Sequence, residues 1–75
     1  MSLIWIDADA TPKKIKELLY RAAQRRRVPM TFVANQYIQT PRWPTIQTKI
    51  VEKGFDKADD YIAENCNQGD LIITA

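Results

Sequence analysis

Short apolar runs and one stretch with helical spacing divide this chain into a few elements. Runs at residues 3–6, 30–34 and 71–74 have the length and composition of buried β-strands, and residues 49–52 form a weaker run. Between the first two runs, apolar residues recur at intervals of three and four, as on a helix packed against a sheet: Ile15, Leu18, Leu19, Ala22 and Ala23. With a second helix predicted over residues 57–67, the order is β-α-β-β-α-β.

Residues that flank the first helix predict its ends. Thr11 is a candidate N-cap, and Pro12 suits the first helical position, where no N–H is needed. Three arginines at residues 25–27 complement the negative end of the helix dipole, and Pro29 prevents continuation. Residues 35–47, with two prolines, are predicted as a loop. Because a strand, a helix and a strand in this order form a parallel crossover, the sequence predicts an α/β fold with a mainly parallel sheet.

Length and composition limit the kinds of site that the chain can carry. Seventy-five residues form at most one domain. The single cysteine excludes an internal disulfide, and since there is no histidine, a structural zinc site is excluded as well. A metal ion would have to be bound by oxygen atoms, which favours Mg²⁺ or Mn²⁺.

Charge is distributed unevenly along the chain. Residues 1–27 hold seven basic and three acidic side chains, whereas residues 28–75 hold four and six, so the halves carry +4 and −2. A basic first helix beside acidic residues suits a polyanionic substrate, although a solvated helix face explains the same pattern. Because no signal-peptide pattern or membrane-length apolar stretch is present, we expect a cytoplasmic protein without membrane contact.

Most candidate site residues follow the carboxyl ends of the predicted strands, where open parallel sheets bind their ligands. Asp7 and Asp9 follow the first strand, Asn35 and Gln36 follow the second, and Thr74 ends the fourth. Three acids at the start of the second helix follow the third strand: Asp56, Asp59 and Asp60. Their shared position predicts a site on one rim of the sheet.

Asp7 and Asp9 form the centre of this predicted site. Two carboxylates separated by one residue can share a divalent cation with acids of the neighbouring crossover. Alternatively, Asp7 ends the strand and Asp9 stabilises the start of the first helix. Three lysines stand in the first helical turns, where the dipole disfavours positive charge unless an anion, such as a bound phosphate, offsets it: Lys13, Lys14 and Lys16.

The remaining candidates also have structural explanations. Asp56 is a suitable N-cap, and acids in a first turn stabilise a helix, but three neighbouring carboxylates repel one another unless a cation neutralises them. Asn35 and Gln36 are common turn residues.

The aromatic residues also have two possible interpretations, one as binding residues and one as packing residues. Tyr37, Arg42 and Trp43 could stack on the bases of a single strand, or Trp43 could close a small core under the loop. Trp5 and Cys66 are predicted in the core, because they lie on apolar stretches of a strand and a helix.

Together, these motifs resemble the bacterial YaiI/YqxD family of PIN-like domain proteins. Five ordered segments carry the resemblance over nearly the whole chain: IWIDADA at residues 4–10, YRAA at 20–23, VANQ at 33–36, GFDKADD at 54–60 and GDLIITA at 69–75. The resemblance implies a Rossmann-like, PIN-like fold with acids gathered on one rim, as in metal-dependent ribonucleases. The family is largely uncharacterised, so a nuclease activity is an analogy of fold.

The resemblance covers only the N-terminal half of a family domain. In the family, the segment similar to residues 72–75 continues into an aspartate and about as many residues again. We therefore expect residues 1–75 to form an incomplete PIN-like α/β domain that binds metal weakly or not at all. Family members usually carry a cysteine at the position of Thr11, so a thiolate role does not transfer here, whereas N-capping does.

Three hypotheses remain open. In the first, the parent protein is a Mg²⁺- or Mn²⁺-dependent phosphodiesterase acting on RNA. Its catalytic and metal-binding residues would be Asp7, Asp9, Asp56 and Asp59, with Asp60 as a further metal ligand. Its substrate-binding residues would be Lys13, Lys14, Lys16 and Asn35. In the second, the domain binds nucleic acid or a protein without catalysis; in the third, it is an inactive fragment that self-associates through uncovered apolar surface.

Overall fold

In the described part of the chain, four short strands and two helices follow one another in the predicted order. The computed structural model describes residues 3–53 and 57–73. The elements are β1 (Ile4–Asp7), α1 (Lys13–Arg26), β2 (Met30–Ala34), β3 (Ile46–Ile50), α2 (Lys57–Asn65) and β4 (Leu71–Ile73). The predictions for Asp56 and Thr74 lie outside the described residues.

The strands form one parallel sheet in the order β3-β2-β1-β4. β1 is internal, with Ile4 paired to Met30 of β2 on one side and to Leu71 of β4 on the other. The predicted α/β fold with a parallel sheet is confirmed, and the strand order is consistent with a Rossmann-like arrangement. Because the strands are parallel, their carboxyl ends lie along one rim.

Each face of the sheet packs against one helix, because successive side chains of β1 alternate between the faces. Ile6 is buried in a cluster with Ala23 of α1. Trp5 is buried in a second cluster with Ala58 and Ile62 of α2. The first cluster is called the α1 core and the second the α2 core. The core position predicted for Trp5 is confirmed, and Cys66 packs partly buried against the α2 core.

β3 begins earlier than the sequence predicts. It covers Ile46–Ile50 rather than residues 49–52, and of its five residues only Ile46 is buried. Because its side chains are mostly polar, the hydrophobic pattern does not predict this strand. It forms through backbone pairing with β2, in which Ile46 lies opposite Met30. α2 ends at Asn65, two residues before the predicted end.

The start of α1 also differs from the prediction. Pro12 occupies the N-cap position, and among the described residues no side chain caps the helix. The buried Thr11 hydroxyl instead donates a 2.8 Å hydrogen bond to the carbonyl oxygen of Asp7. The N-cap prediction for Thr11 is therefore wrong, because its hydroxyl closes the turn before the helix.

The apolar stripe of α1 is only partly covered. Ala23 is buried, and Leu19 and Ala22 pack against the α1 core, but Leu18 is 57% exposed and Ile15 is exposed as well. Periodicity shows which residues share a face, not how much of that face another element covers. In the described part of the chain, neither helix is long and apolar enough to cross a membrane.

The composition of β4 predicts burial on both faces, and the structure shows otherwise. Leu71 is 55% exposed and Ile72 is 42% exposed. β4 lies at the edge of the sheet, where within the described residues it pairs with β1 alone.

Asp70 joins the amino ends of β1 and β4. Its Oδ1 accepts a hydrogen bond from the N–H of Leu3 at 2.9 Å. Its Oδ2 accepts from the indole N–H of Trp5 at 2.9 Å and from the N–H of Asn67 at 2.8 Å. These hydrogen bonds hold the pKa of Asp70 below its ordinary value, and the bond from Leu3 has the largest effect. We call this group the Asp70 clamp.

Candidate functional site

A tight turn at the carboxyl end of β1 sets the positions of the first acids. The N–H of Ala10 donates to the carbonyl oxygen of Asp7 at 3.2 Å, and the Thr11 hydroxyl donates to the same oxygen. The N–H of Ala8 donates to the carbonyl oxygen of Val33 in β2 at 2.9 Å. The backbone that carries Asp7 is thereby tied to the end of the sheet.

Asp9 links the carboxyl ends of β1 and β2. Its Oδ2 accepts a 2.7 Å hydrogen bond from the backbone N–H of Asn35, the first residue after β2. Asn35 therefore reaches the acids through its backbone, and the substrate-binding role of its side chain stays a prediction. Gln36 is exposed.

Asp59 extends this group of acids to a third element. It lies in the first turn of α2 beside Asp60. Burial raises the pKa of the Asp7 carboxyl, and the negative charges of Asp9 and Asp59 raise it further. A 3.3 Å hydrogen bond from the N–H of Ala10 to Asp7 Oδ1 offsets only part of this effect. We call Asp7, Asp9 and Asp59 the acidic rim.

The three carboxylates of the acidic rim do not form a metal-binding group in the described structure. In the part of the chain that the structure describes, no three acidic or cysteine side chains are grouped so that they could hold a metal ion. Asp60 lines a shallow groove with Glu52 and Lys57. Asp56 lies outside the described residues, so its role stays a prediction, as does that of Asp60.

The Mg²⁺ or Mn²⁺ site predicted from the sequence stays a prediction for the acidic rim. Carboxylate oxygens are ligands that Mg²⁺ and Mn²⁺ accept readily. A partly buried carboxylate with a raised pKa is a group whose charged form such a cation would stabilise, which is the situation of Asp7. One oxygen of Asp9 is already engaged by Asn35, which fixes the orientation of that carboxylate.

Two of the predicted lysines line a cleft on one flank of α1. Lys13 and Lys16 border a cleft of about 320 Å³, together with Tyr20 and Ile38. Lys14 is exposed on the same helical turn. Glu17 lines the cleft as well. Because α1 follows β1, the cleft begins at the same end of the sheet as the acidic rim.

Tyr20 and Gln39 also line the cleft, although the sequence did not mark them as site residues. Tyr20 stands within the helical pattern, and its ring does pack on Phe32, with 4.9 Å between ring centroids. Burial and, to a smaller extent, the charge of Glu17 raise the pKa of its hydroxyl. Gln39 lies in a loop without periodicity, so no sequence signal marks either residue as a cleft residue.

The aromatic residues between β2 and β3 lie in two environments. Trp43 packs against the α1 core, which confirms the packing alternative. Tyr37 follows the carboxyl end of β2 and is 82% exposed. Stacking on a nucleic-acid base therefore stays a prediction for Tyr37.

Comparison with known proteins identifies close relatives. The model of the uncharacterised YaiI/YqxD family matches residues 5–75. The UPF0178 protein of Proteus mirabilis (strain HI4320) is 57% identical over 72 residues, which are 96% of this chain and 48% of that protein. A UPF0178 protein of Maridesulfovibrio salexigens is 56% identical over 72 residues with the same coverage. One from Bordetella petrii is 55% identical over 71 residues, which are 95% of this chain and 47% of the relative. No solved structure matches the chain.

These matches agree with the resemblance carried by the five sequence motifs. The chain spans about half the length of the curated relatives it matches. The family model covers nearly all of the chain, and identity to each of these relatives exceeds half of the aligned residues. The chain therefore belongs to the YaiI/YqxD family of UPF0178 proteins.

Proposed function

We propose that the full-length protein is a Mg²⁺- or Mn²⁺-dependent phosphodiesterase that acts on RNA at the acidic rim. The observation that carries this proposal is the environment of Asp7, whose pKa is raised by burial and by the charges of Asp9 and Asp59. The negative charge of Asp7 beside Asp9 and Asp59 is costly unless a cation neutralises it. Such perturbed carboxylates are candidates for functional sites.

In this proposal the aspartates are the metal ligands. Asp7, Asp9 and Asp59 supply carboxylate oxygens, with Asp56 and Asp60 as further predicted ligands. When bound, the ion polarises the phosphoryl group and lowers the pKa of an attacking water. Such chemistry needs no side-chain nucleophile, in agreement with a chain that contains no histidine.

The basic residues of α1 attract and orient the phosphate chain. Lys13 and Lys16 line the cleft beside the start of the helix, and Lys14 is exposed next to them. Positive charge at this place raises the local concentration of a polyanion. The side chain of Asn35, whose backbone N–H donates to Asp9, would orient a ribose hydroxyl or a water molecule.

Metal titration tests the proposal most directly. We expect the 75-residue chain to bind Mn²⁺ weakly by calorimetry, and Asp7→Asn to lower the affinity by about tenfold or more, because a charged ligand is lost. Glu64→Gln is the matched control, since it removes an exposed carboxylate at the other end of α2. Equal Mn²⁺ affinity of the Asp7→Asn variant and the unaltered chain would contradict the metal site.

Activity is tested in the full-length Proteus mirabilis relative. RNA cleavage should disappear in the presence of a chelator and return when Mg²⁺ or Mn²⁺ is added in excess. Cleavage that persists in excess chelator would rule out the proposed chemistry.

A second candidate function is nucleic-acid binding without catalysis. It is favoured by one observation, namely that the described acids do not form a three-ligand group. Under this alternative, RNA affinity should fall steeply with salt and not depend on Mn²⁺. Asp7→Asn should then leave RNA binding unchanged or tighter, because it removes a negative charge near the lysines.

A further inference from the structure

The β4 edge carries apolar surface and backbone groups that the described residues do not cover. Leu71 and Ile72 are both largely exposed, and β4 contains neither a charge nor a proline. The N–H of Leu71 donates to the carbonyl oxygen of Leu3 in the direction of β1. Because N–H groups alternate along a strand, the N–H of Ile72 points to the open side. An edge of this kind is a template for another strand.

One flank of α1 continues this uncovered surface. The opposite flank of α1 faces β2 and β3, because Tyr20 packs on Phe32 of β2 and shares a cleft with Ile38 before β3. Leu18 is displaced from Tyr20 by about 200° around the helix axis, so it lies on the flank directed away from β3 and towards β4. Ile15 shares that flank, three residues away.

Leu71 lies on the same face of the sheet as α1. Ile73 packs against the α1 core, and Leu71 is two residues away on the strand, so their side chains point to the same face. The exposed flank of α1 and the exposed face of β4 therefore border a space in which no described element lies. A further helix or strand would find apolar contacts on both sides of that space.

The flank of α1 also carries a cluster of positive charge. Leu18 and Ala22 line a groove whose other lining residues are Arg21, Arg25 and Arg26. A segment that lies along this groove needs an apolar side and acidic neighbours.

We propose that this surface, formed by the side chains of Ile15, Leu18 and Leu71 and by the backbone edge of β4 at Ile72, is the docking site for the second half of a YaiI/YqxD-family protein. The second half would add a strand to β4 and lay an apolar segment with acidic flanks along the groove of α1. The occupant follows from length, since the relatives carry about as much chain again as the half that this chain matches.

A second copy of this chain fits the surface less well. Antiparallel pairing of two β4 strands would place both α1 helices on the same face of a continuous sheet, around a two-fold axis. The two arginine-lined grooves would then lie on the same side of the interface with like charges, which disfavours that association.

Amide exchange at Ile72 tests the proposal. The rate is measured by NMR in the 75-residue chain and in a fusion in which residue 75 continues directly into the remaining half of the Proteus mirabilis relative. We expect exchange at Ile72 to slow by at least about tenfold in the fusion, since the N–H gains a strand partner. Ile50 is the internal control: the N–H of Val51 donates to Ala34 of β2, so the N–H of Ile50 points away from β2 at the opposite edge and should not change.

Two substitutions test whether the slower amide exchange at Ile72 depends on the proposed surface. Leu71→Lys in the fusion should restore fast exchange at Ile72, whereas Ile50→Lys, an exposed apolar residue on β3, should not. The same measurement in the intact Proteus mirabilis protein, at the residue aligned with Ile72, gives the result without a fusion joint. Equal exchange at Ile72 with and without the second half would overturn the proposal. So would a dimer of the 75-residue chain in which Ile72 is already protected, because a second copy would then be the occupant.

Discussion

Asp70 and Asp7 lie at opposite ends of the same sheet, and their carboxylates differ in how well hydrogen bonds stabilise their negative charge. Asp70 accepts hydrogen bonds from Leu3, Trp5 and Asn67, and its pKa is lowered. Asp7 accepts a long hydrogen bond from Ala10, is partly buried near two other acids, and has a raised pKa. The comparison separates a carboxylate that stabilises the fold from one whose charge is costly to maintain. It places the acid whose charged form is disfavoured at the carboxyl rim of the sheet.

The largest effect is expected when the Asp70 clamp is broken. Asp70→Asn leaves a single carbonyl oxygen facing three N–H donors, so we expect thermal unfolding, followed by circular dichroism, to shift down by several degrees. Glu64→Gln removes an exposed acid near the end of α2 and should leave the melting temperature nearly unchanged. If both variants melted alike, the clamp would not be a stabilising element.

The pH dependence of stability should show opposite signs for the two acids. Because the folded-state pKa of Asp70 is lower than 3.8, its stabilisation is present above that pH and is lost as pH falls through the folded-state value. The raised pKa of Asp7 acts in the other direction, so stability is lost as pH rises through that value. Melting curves from roughly pH 2 to 7 should show, for Asp70→Asn, a smaller decrease in melting temperature at acid pH, which we call the acid limb. An unchanged acid limb would mean that Asp70 does not control it.

A smaller effect is expected at the turn that carries Asp7. Thr11→Val removes the hydroxyl that donates to the Asp7 carbonyl oxygen and should lower the free energy of unfolding by about 1 kcal/mol. Urea denaturation measures this loss. Thr48→Val is the control, because the Thr48 hydroxyl contacts only the Thr40 hydroxyl, at 3.2 Å in an exposed position, among the contacts described. Losses of equal size would indicate that the turn is not specially tied by Thr11.

The smallest change, and one of opposite sign, is expected for the rim itself. Asp7→Asn removes a charge that is partly buried near Asp9 and Asp59, so the melting temperature should stay the same or rise slightly. Glu64→Gln provides the baseline for loss of an exposed acid. A large drop in melting temperature for Asp7→Asn would show that Asp7, like Asp70, is a structural acid.

Much of the fold could be predicted from the sequence, because continuous apolar runs and helical spacing report local structure directly. The three strong strands and both helices illustrate this. β3 was misplaced because four of its five residues are exposed, so it carries little apolar signal. Pairing with β2 supplies the hydrogen bonds that form it, and pairing is a tertiary property.

The candidate site could be predicted only to the level of shared location. Parallel strands guarantee that Asp7, Asp9 and Asn35 lie on one rim, and the structure confirms a bond between Asp9 and Asn35. The turn bond of Thr11 and the cleft around Tyr20 were not predictable, because both depend on packing between segments that are distant in sequence or between a side chain and a particular carbonyl.

The sequence by itself determined the order of elements, the parallel sheet and the clustering of acids after its strands, because these follow from local periodicity and chain connectivity. Only the tertiary structure decided that Asp70 is clamped while Asp7 is not, and that Leu18 and Leu71 face solvent. Hydrogen-bond satisfaction and burial depend on which other segments approach a residue, and that information is spread over the whole fold.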